Sequence, residues 1–324
     1  MKKFVDDIDE LTLEVFTIGY SEKGESQIII LFDNKNDNPL LTFVIDCYAT
    51  ARFHKTKEIL DSYKIKHIDH FIWTHTDEDH STGIEVLIDD YCNKKTNFYF
   101  PEAINGNIKD LVDYNAEVKA CFDKINAFNI SQNYNVNSIS TVAGQHTQVL
   151  KSQFVDTKTS KNFSFEVLAI APISAIIKRR INSGKIATKN DFSIATLFKV
   201  GELNLLFSGD IENQTINLIP NYLFENLTYI KTPHHTSKTS TKLLDKLDEV
   251  YINKVPFAIS TTYRANKLPD KELIKDYKKY VTSFISTGDG TEGFGYVKII
   301  YNITKMEYFK EELYGDAFID TMSN

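Results

Sequence analysis

Three apolar runs in this chain stop abruptly at histidine or aspartate, and no other feature limits the fold as much. His67–Thr74, rich in Ile, Phe and Trp, runs into His75-Thr-Asp77-Glu-Asp79-His80. Leu203–Ser208 runs into Gly209-Asp210-Ile-Glu212, and Leu227–Lys231 into Thr232-Pro-His234-His235-Thr-Ser237. Apolar runs this short read as buried strands, so the polar groups must gather where strands end. Imidazole plus carboxylate is the ligand set of zinc, manganese or iron. Alternating positions of one tight loop can bring His75, Asp77, Asp79 and His80 to one point. Asp210, at the tip of a core strand, stands where a bridging ligand belongs, and the pair His234-His235 can supply a ligand and a proton donor. Each cluster alone is ambiguous; together they are hard to explain without metal.

The rest of the pattern predicts strands at Leu11–Ile18, Gln27–Phe32 and Leu41–Ile45, a helix over His54–Tyr63, and a second helix N-capped by Ser81. Between Pro101 and Val155 lie a helical stretch at Ile108–Phe128 and an Asn/Ser/Gln-rich connection, read as an insertion that shapes or covers a cleft. The second half predicts strands at Phe163–Ala169, Ser193–Val200, Phe257–Ser260, Thr282–Ile285 and Tyr296–Tyr301, with helices at Ile211–Leu223, Thr241–Leu247 and Asp270–Tyr280. The tail Phe309–Ile319 packs on the domain or on a partner. Two strand-rich halves, each followed by helices, predict two facing sheets with helices outside. The expectation is one domain over 1–324, with the insertion at about 100–160.

Composition narrows the function classes. At 324 residues, 42% hydrophobic and 25% charged, the chain can bury its own core without disulfides. Cys47, Cys92 and Cys121 are far apart and odd in number, which suits free thiols and a cytoplasmic setting. No apolar stretch reads as a membrane span or signal peptide. The net charge of -7 argues against a broad nucleic-acid surface. The densest basic patch is Lys178-Arg179-Arg180 with Lys185 and Lys189, and such runs are commonly solvated. His146 reads as a plain surface residue.

The order and setting of the clusters resemble the metallo-β-lactamase superfamily, and within it the soluble hydrolase domain of ComEC competence (DNA-uptake) proteins. The stretches that carry this are Phe43-Val-Ile-Asp46, Ile68-Asp69, Thr74-His75-Thr-Asp77-Glu-Asp79-His80-Ser-Thr-Gly83, Asn190-Asp-Phe-Ser193, Leu206-Phe-Ser-Gly-Asp210-Ile-Glu212 and Lys231-Thr-Pro-His234-His235-Thr-Ser237-Lys-Thr-Ser240. The resemblance spans about residues 10–300 and implies an α/β fold, the αββα metallo-β-lactamase sandwich, two facing mixed β-sheets flanked by helices. It implies two divalent metal ions, zinc or manganese with magnesium also open, and a metal-dependent hydrolase of the phosphodiesterase or nuclease kind. In that reading His75 and Asp77 hold one ion, Asp79, His80 and His235 the other, and Asp210 bridges. Asp79 and His234 are the catalytic candidates, with His234 the proton donor or alternative ligand. Asn190 or Asp191 stands where the superfamily has another histidine. Lys231, Ser237, Lys238 and the Lys178–Lys189 patch would contact a phosphodiester substrate, DNA or a nucleotide, beside an operon-encoded partner protein.

The chain departs from the pattern at Asp77, where a second histidine is usual, at Thr236, where the family has glycine, and at Lys23-Gly24-Glu25-Ser26, a degraded form of a Gly-Gln-Gly-Asp turn. The readings that compete are a small-molecule phosphoester hydrolase, a choline-phosphate ester included, and a non-catalytic metal-binding subunit of a larger complex.

Overall fold

The computed structural model describes residues 2–102, 115–132, 135–183, 189–288, 290–305 and 307–321. Among these residues the strands form two mixed sheets. One has eight strands, in the order Glu307–Gly315, Phe294–Asn302, Leu11–Tyr20, Glu25–Asp33, Asn38–Ile45, His70–Ile72, Asn97–Pro101 and Val136–Ile139. The first five run antiparallel to their neighbours, and the last three add in parallel. The other has nine, beginning with Lys2–Val5, Thr147–Asp156, Asn162–Ala171 and Ala195–Val200. It continues through Leu203–Phe207, Tyr229–Lys231, Val255–Ser260 and Val281–Ser286 to Phe318–Ile319, and the four strands from Leu203 to Ser286 are mutually parallel.

The sheets face each other across one apolar layer. The Phe43 ring of the first sheet stacks on Phe165 and meets Phe198 edge-on, both from the second. Helices Lys55–Ser62, Ile84–Tyr91 and Ala116–Gln132 cover the outer face of the first sheet through Leu60, Leu87, Val118 and their neighbours. Helices Asn213–Asn217, Lys242–Glu249 and Lys271–Tyr280 cover the second through Ile216, Leu247 and Tyr277. This is the expected αββα sandwich. Its inner strands carry apolar residues on both faces because both faces are covered.

Several boundaries differ from the expectation. The helix placed at Ser81 begins at Ile84 instead. The Ser81 hydroxyl donates to the Asp77 carbonyl (2.6 Å) and accepts from Trp73 Nε1 (3.1 Å), so it braces the His/Asp loop. Gly83 precedes the helix at φ 98°, where an added Cβ would lie 2.9 Å from Ala49 Cβ. Ile211–Leu223 is a short helix, Asn213–Asn217, followed after Pro220 by a 3-10 turn. The stretch read as an insertion supplies Val136–Ile139 to one sheet and Thr147–Asp156 to the other. Of the expected Ile108–Phe128 helix, residues 108–114 lie outside the described residues, as does Lys185. The C-terminal tail pairs at home, 307–315 on Phe294–Asn302 and 318–319 on Val281–Ser286. The three cysteines are free, and no described helix is long and apolar enough to cross a membrane.

Candidate metal centre

The parallel strands of both sheets end at the same edge, and each delivers a polar group there. Asp46 follows Asn38–Ile45, His75 follows His70–Ile72, Asp210 follows Leu203–Phe207, His234-His235 follow Tyr229–Lys231, and Thr261 follows Val255–Ser260. Glu25 opens the strand antiparallel to Asn38–Ile45 and so stands at that edge too. Backbone bonds lock the ends together: Ile194 N to the Thr74 carbonyl (2.9 Å), His234 N to the Gly209 carbonyl (3.1 Å) and Thr232 N to the Ile259 carbonyl (2.9 Å). Ser193 Oγ accepts from Asp210 N at 2.9 Å.

The ligand-type atoms converge on Asp210. Its Oδ2 lies 3.5 Å from His80 Nε2, 3.7 Å from His235 Nε2 and 4.0 Å from His75 Nε2. Asp79 Oδ2 is 3.2 Å from His235 Nε2 and 3.8 Å from His80 Nε2. On the other side Asp77 Oδ2 is 3.3 Å from His75 Nε2. Atoms bound at about 2.0–2.2 Å to one tetrahedral ion stand roughly 3.3 Å apart, close to this spacing. His75 Nε2, His80 Nε2 and Asp210 Oδ1 are buried and meet no hydrogen-bond partner among the described residues. Buried polar atoms are ordinarily paired, so two orphan imidazole nitrogens beside a carboxylate with an orphan oxygen of its own fit a divalent cation.

Each imidazole is aimed by a bond to its other nitrogen, the usual support of a ligating histidine. His80 Nδ1 meets Asp46 Oδ2 (2.8 Å), His235 Nδ1 meets Thr261 Oγ1 (2.8 Å) and His75 Nδ1 meets Thr74 Oγ1 (3.0 Å). Asp46 also accepts from Thr74 N and Oγ1, at 2.6 and 2.5 Å. Behind this layer lies Glu25, wholly buried, 2.5 Å from Lys231 Nζ and 2.5 Å from Thr261 Oγ1. Glu25, His80, Asp210 and His235 offer donor atoms within 4.8 Å of one another. Glu25, however, faces the Nδ1 edges of His80 and His235, at 3.8 and 3.4 Å, and is already engaged by Lys231 and Thr261. The Nε2 edges, turned towards Asp79 and Asp210, are the better-aimed ligand face.

Burial works against charge in this cluster, and neighbouring charge prevails. Burial alone would raise Asp210, but His80 and His235 hold it well below the ordinary carboxylate range. Burial would lower His80, yet Asp210, Glu25, Asp79 and Asp46 push it well above 6.5. Burial raises Glu25 and is outweighed by Lys231, His80 and His235.

The turn Pro233–Thr236 separates the two adjacent histidines. His234, His235 and Thr236 all have positive φ, at 47°, 51° and 61°, a conformation uncommon outside glycine. Thr236 is anchored through its hydroxyl to Thr232 (2.8 Å) and Ser260 (2.7 Å). The turn sends His235 inward and leaves His234 at the rim, where it meets Thr239 Oγ1 (2.8 Å) and Glu212 Oε1 (3.2 Å). Burial would lower His234, but Glu212 and Asp210 raise it above its ordinary value.

Other predicted residues lie elsewhere. Asn190 joins the rim through Glu212 (3.2 Å) and sits beside His234. Asp191 is turned away into an ion pair with Arg180. Lys231, expected to hold a substrate phosphate, is buried beneath the cluster, 3.8 Å from Asp210 Oδ1, and neutralises Glu25 instead. Ser237 caps the next turn through Thr239 N, and Lys238 is exposed and paired with Asp270 (3.2 Å). In the basic patch Lys178 and Arg179 are exposed, and Lys189 reaches Asp77 Oδ1 (2.8 Å). His146 is exposed beside Tyr222. The sequence reading missed the roles of Glu25, Thr74, Ser193 and Thr261. The one available signal was the polar run Gly24-Glu25-Ser26-Gln27 opening an apolar strand.

No protein-family model and no curated protein matches the chain. Among solved structures it is similar to a diphosphatase of the PhnP family, with TM-score 0.42 and 11% identity over 90% of this chain and 99% of that one. It is also similar to a protein named as a putative metal-dependent hydrolase from Parabacteroides distasonis ATCC 8503, with TM-score 0.38 and 12% identity over 81% and 95%.

Proposed function

We propose that this chain is a metal-dependent hydrolase acting on a phosphodiester, with DNA or another nucleotide-containing molecule as the substrate class. The observation that carries the reading is the convergence of three imidazole Nε2 atoms on Asp210 Oδ2 within 4.0 Å, two of those nitrogens lacking a hydrogen-bond partner among the described residues. His75 and Asp77 would hold one divalent cation, Asp79, His80 and His235 a second, and Asp210 would be shared. Bound divalent cations make water nucleophilic near neutral pH and offset charge developing on phosphorus-bound oxygens. The chain's own groups supply the rest. Thr74, Asp46 and Thr261 fix the imidazoles, and Glu25 with Lys231 sets the charge beneath them. His234, held at the rim by Glu212 with its proton favoured, is positioned to protonate the leaving oxygen. The preference for a phosphodiester follows from the resemblance of the motifs, with Lys189 and the exposed Lys178 and Arg179 as cations for flanking phosphates.

The test is metal content and turnover measured together, for the wild type and Asp210→Asn, on bis-p-nitrophenyl phosphate and on single- and double-stranded DNA. About two ions per chain are expected, with diester cleavage falling about 100-fold or more in the variant. No bound metal, or cleavage indifferent to the substitution, would sink the proposal. Metal without turnover of any of these substrates would leave a metal-binding subunit.

A further inference from the structure

Beside the histidine turn lies a groove of about 670 Å³, between the segment Thr262–Lys278 and the C-terminal strand Phe318–Ile319. Arg264, Lys267, Lys271, Lys275 and Lys278 line it, and among the described residues Asp320 is its one acidic lining residue. In a chain of net charge -7 that concentration of cations is local and specific. Three of the five are engaged: Arg264 by Glu22 (2.7 Å), Lys275 by Glu272 (2.8 Å) and Lys278 by Asp320 (2.5 Å). Lys267 and Lys271 are exposed and pair with no carboxylate among the described residues. Ser286 supplies an independent sign. It lines the groove, is buried, and its Oγ meets no hydrogen-bond partner among the described residues. Its apolar wall is built from Leu268, Pro269 and Ile274, which belong to the same segment as the cations, and from the half-exposed ring of Phe318.

We propose that this groove binds a nucleotide, free or as one unit of a strand. Free cations and a hydroxyl suit phosphate, and an exposed aromatic ring suits a base. The volume lies within the range of small-molecule sites. Inorganic phosphate or an acidic peptide would leave the apolar wall unused. The groove is separate from the metal centre but shares a loop with it. Thr261 holds His235, Tyr263 packs edge-on against that ring at 5.5 Å, and Thr262 lines the groove.

Isothermal titration in EDTA, which keeps the metal centre out of the reading, tests this with dATP, pyrophosphate, hexaglutamate and a short deoxyoligonucleotide. We expect dATP to bind and the first two competitors to bind at least about tenfold more weakly. Lys267→Glu/Lys271→Glu, both at exposed positions, should weaken dATP about tenfold or more while leaving the melting temperature and bis-p-nitrophenyl phosphate cleavage unchanged. Phe318→Ala should weaken it about fivefold or more through lost stacking. Asp79→Ala should bind dATP like the wild type, so failure here is distinct from failure of the hydrolase reading. Tighter binding of the oligonucleotide than of dATP would identify a strand as the source, and the reverse a free nucleotide. No dATP binding, binding that survives the double charge reversal, binding lost in Asp79→Ala, or pyrophosphate or hexaglutamate binding as tightly would each overturn the proposal.

Discussion

Beneath the imidazoles, Lys231 and Glu25 form an ion pair with almost no exposure. Removing one partner of a buried pair leaves a charge that neither water nor protein compensates. Lys231→Met should therefore cost about 3–5 kcal/mol in urea denaturation, and Lys231→Met/Glu25→Gln should recover part of the loss. A single-variant cost no larger than that of an exposed lysine would show that the pair does not hold the cluster. His70 offers a pH test away from the metal centre. It stacks on Phe43 at 4.4 Å, its Nδ1 lies 3.2 Å from the Tyr99 hydroxyl, and burial pushes its pKa down to about 3. In the unfolded chain it takes a proton near pH 6.5, whereas the folded chain keeps it neutral. Its contribution is thus present above about pH 6.5 and is lost as pH falls towards 3, by at most about 1.4 kcal/mol per unit. His70→Phe, which keeps the stack, should flatten that slope between pH 7 and 5, and an unchanged slope would refute the assignment.

Turns at the ends of the strands decide the site geometry. Gly209 has φ 51°, and a Cβ there would lie 2.5 Å from Ser193 Oγ and 2.8 Å from the Ile194 carbonyl. Gly209→Ala should destabilise the fold by about 2–3 kcal/mol through backbone strain and overpacking, and weaken metal binding by displacing Asp210. Titration of the metal into the folded variant checks the second effect, and an affinity equal to the wild type would mean that the turn does not set the position of Asp210. Elements with strong apolar runs, such as Leu11–Tyr20 and Leu203–Phe207, were legible because burial and propensity agree. Asn97–Pro101, Val136–Ile139 and Thr147–Asp156 were not. They are peripheral strands with mixed composition, made strands by the neighbours they hydrogen-bond to.

For the whole molecule, metal and fold should be linked. An ion that binds only the folded chain stabilises it by about 2.7 kcal/mol at 100 times its Kd, roughly 5 °C in melting temperature for a domain this large. Zinc or manganese should raise the melting temperature, EDTA should reverse the rise, and Asp210→Asn should abolish it; an equal rise in the variant would place the ion elsewhere. That His75, Asp77, Asp79, His80, Asp210 and His235 gather at one edge was legible in the sequence, because buried strands that end in His and Asp carry those groups to their tips. So was the layered architecture, because short apolar runs separated by amphipathic helices have few other ways to bury both faces. Tertiary structure alone decided that Glu25 and Lys231 meet under the cluster, that Asp191 turns away to Arg180, and that the 100–160 stretch joins both sheets. Those contacts join residues 11 to more than 200 positions apart, and local propensity and hydrophobic period carry no information about which distant partner a buried charge or a sheet edge will find.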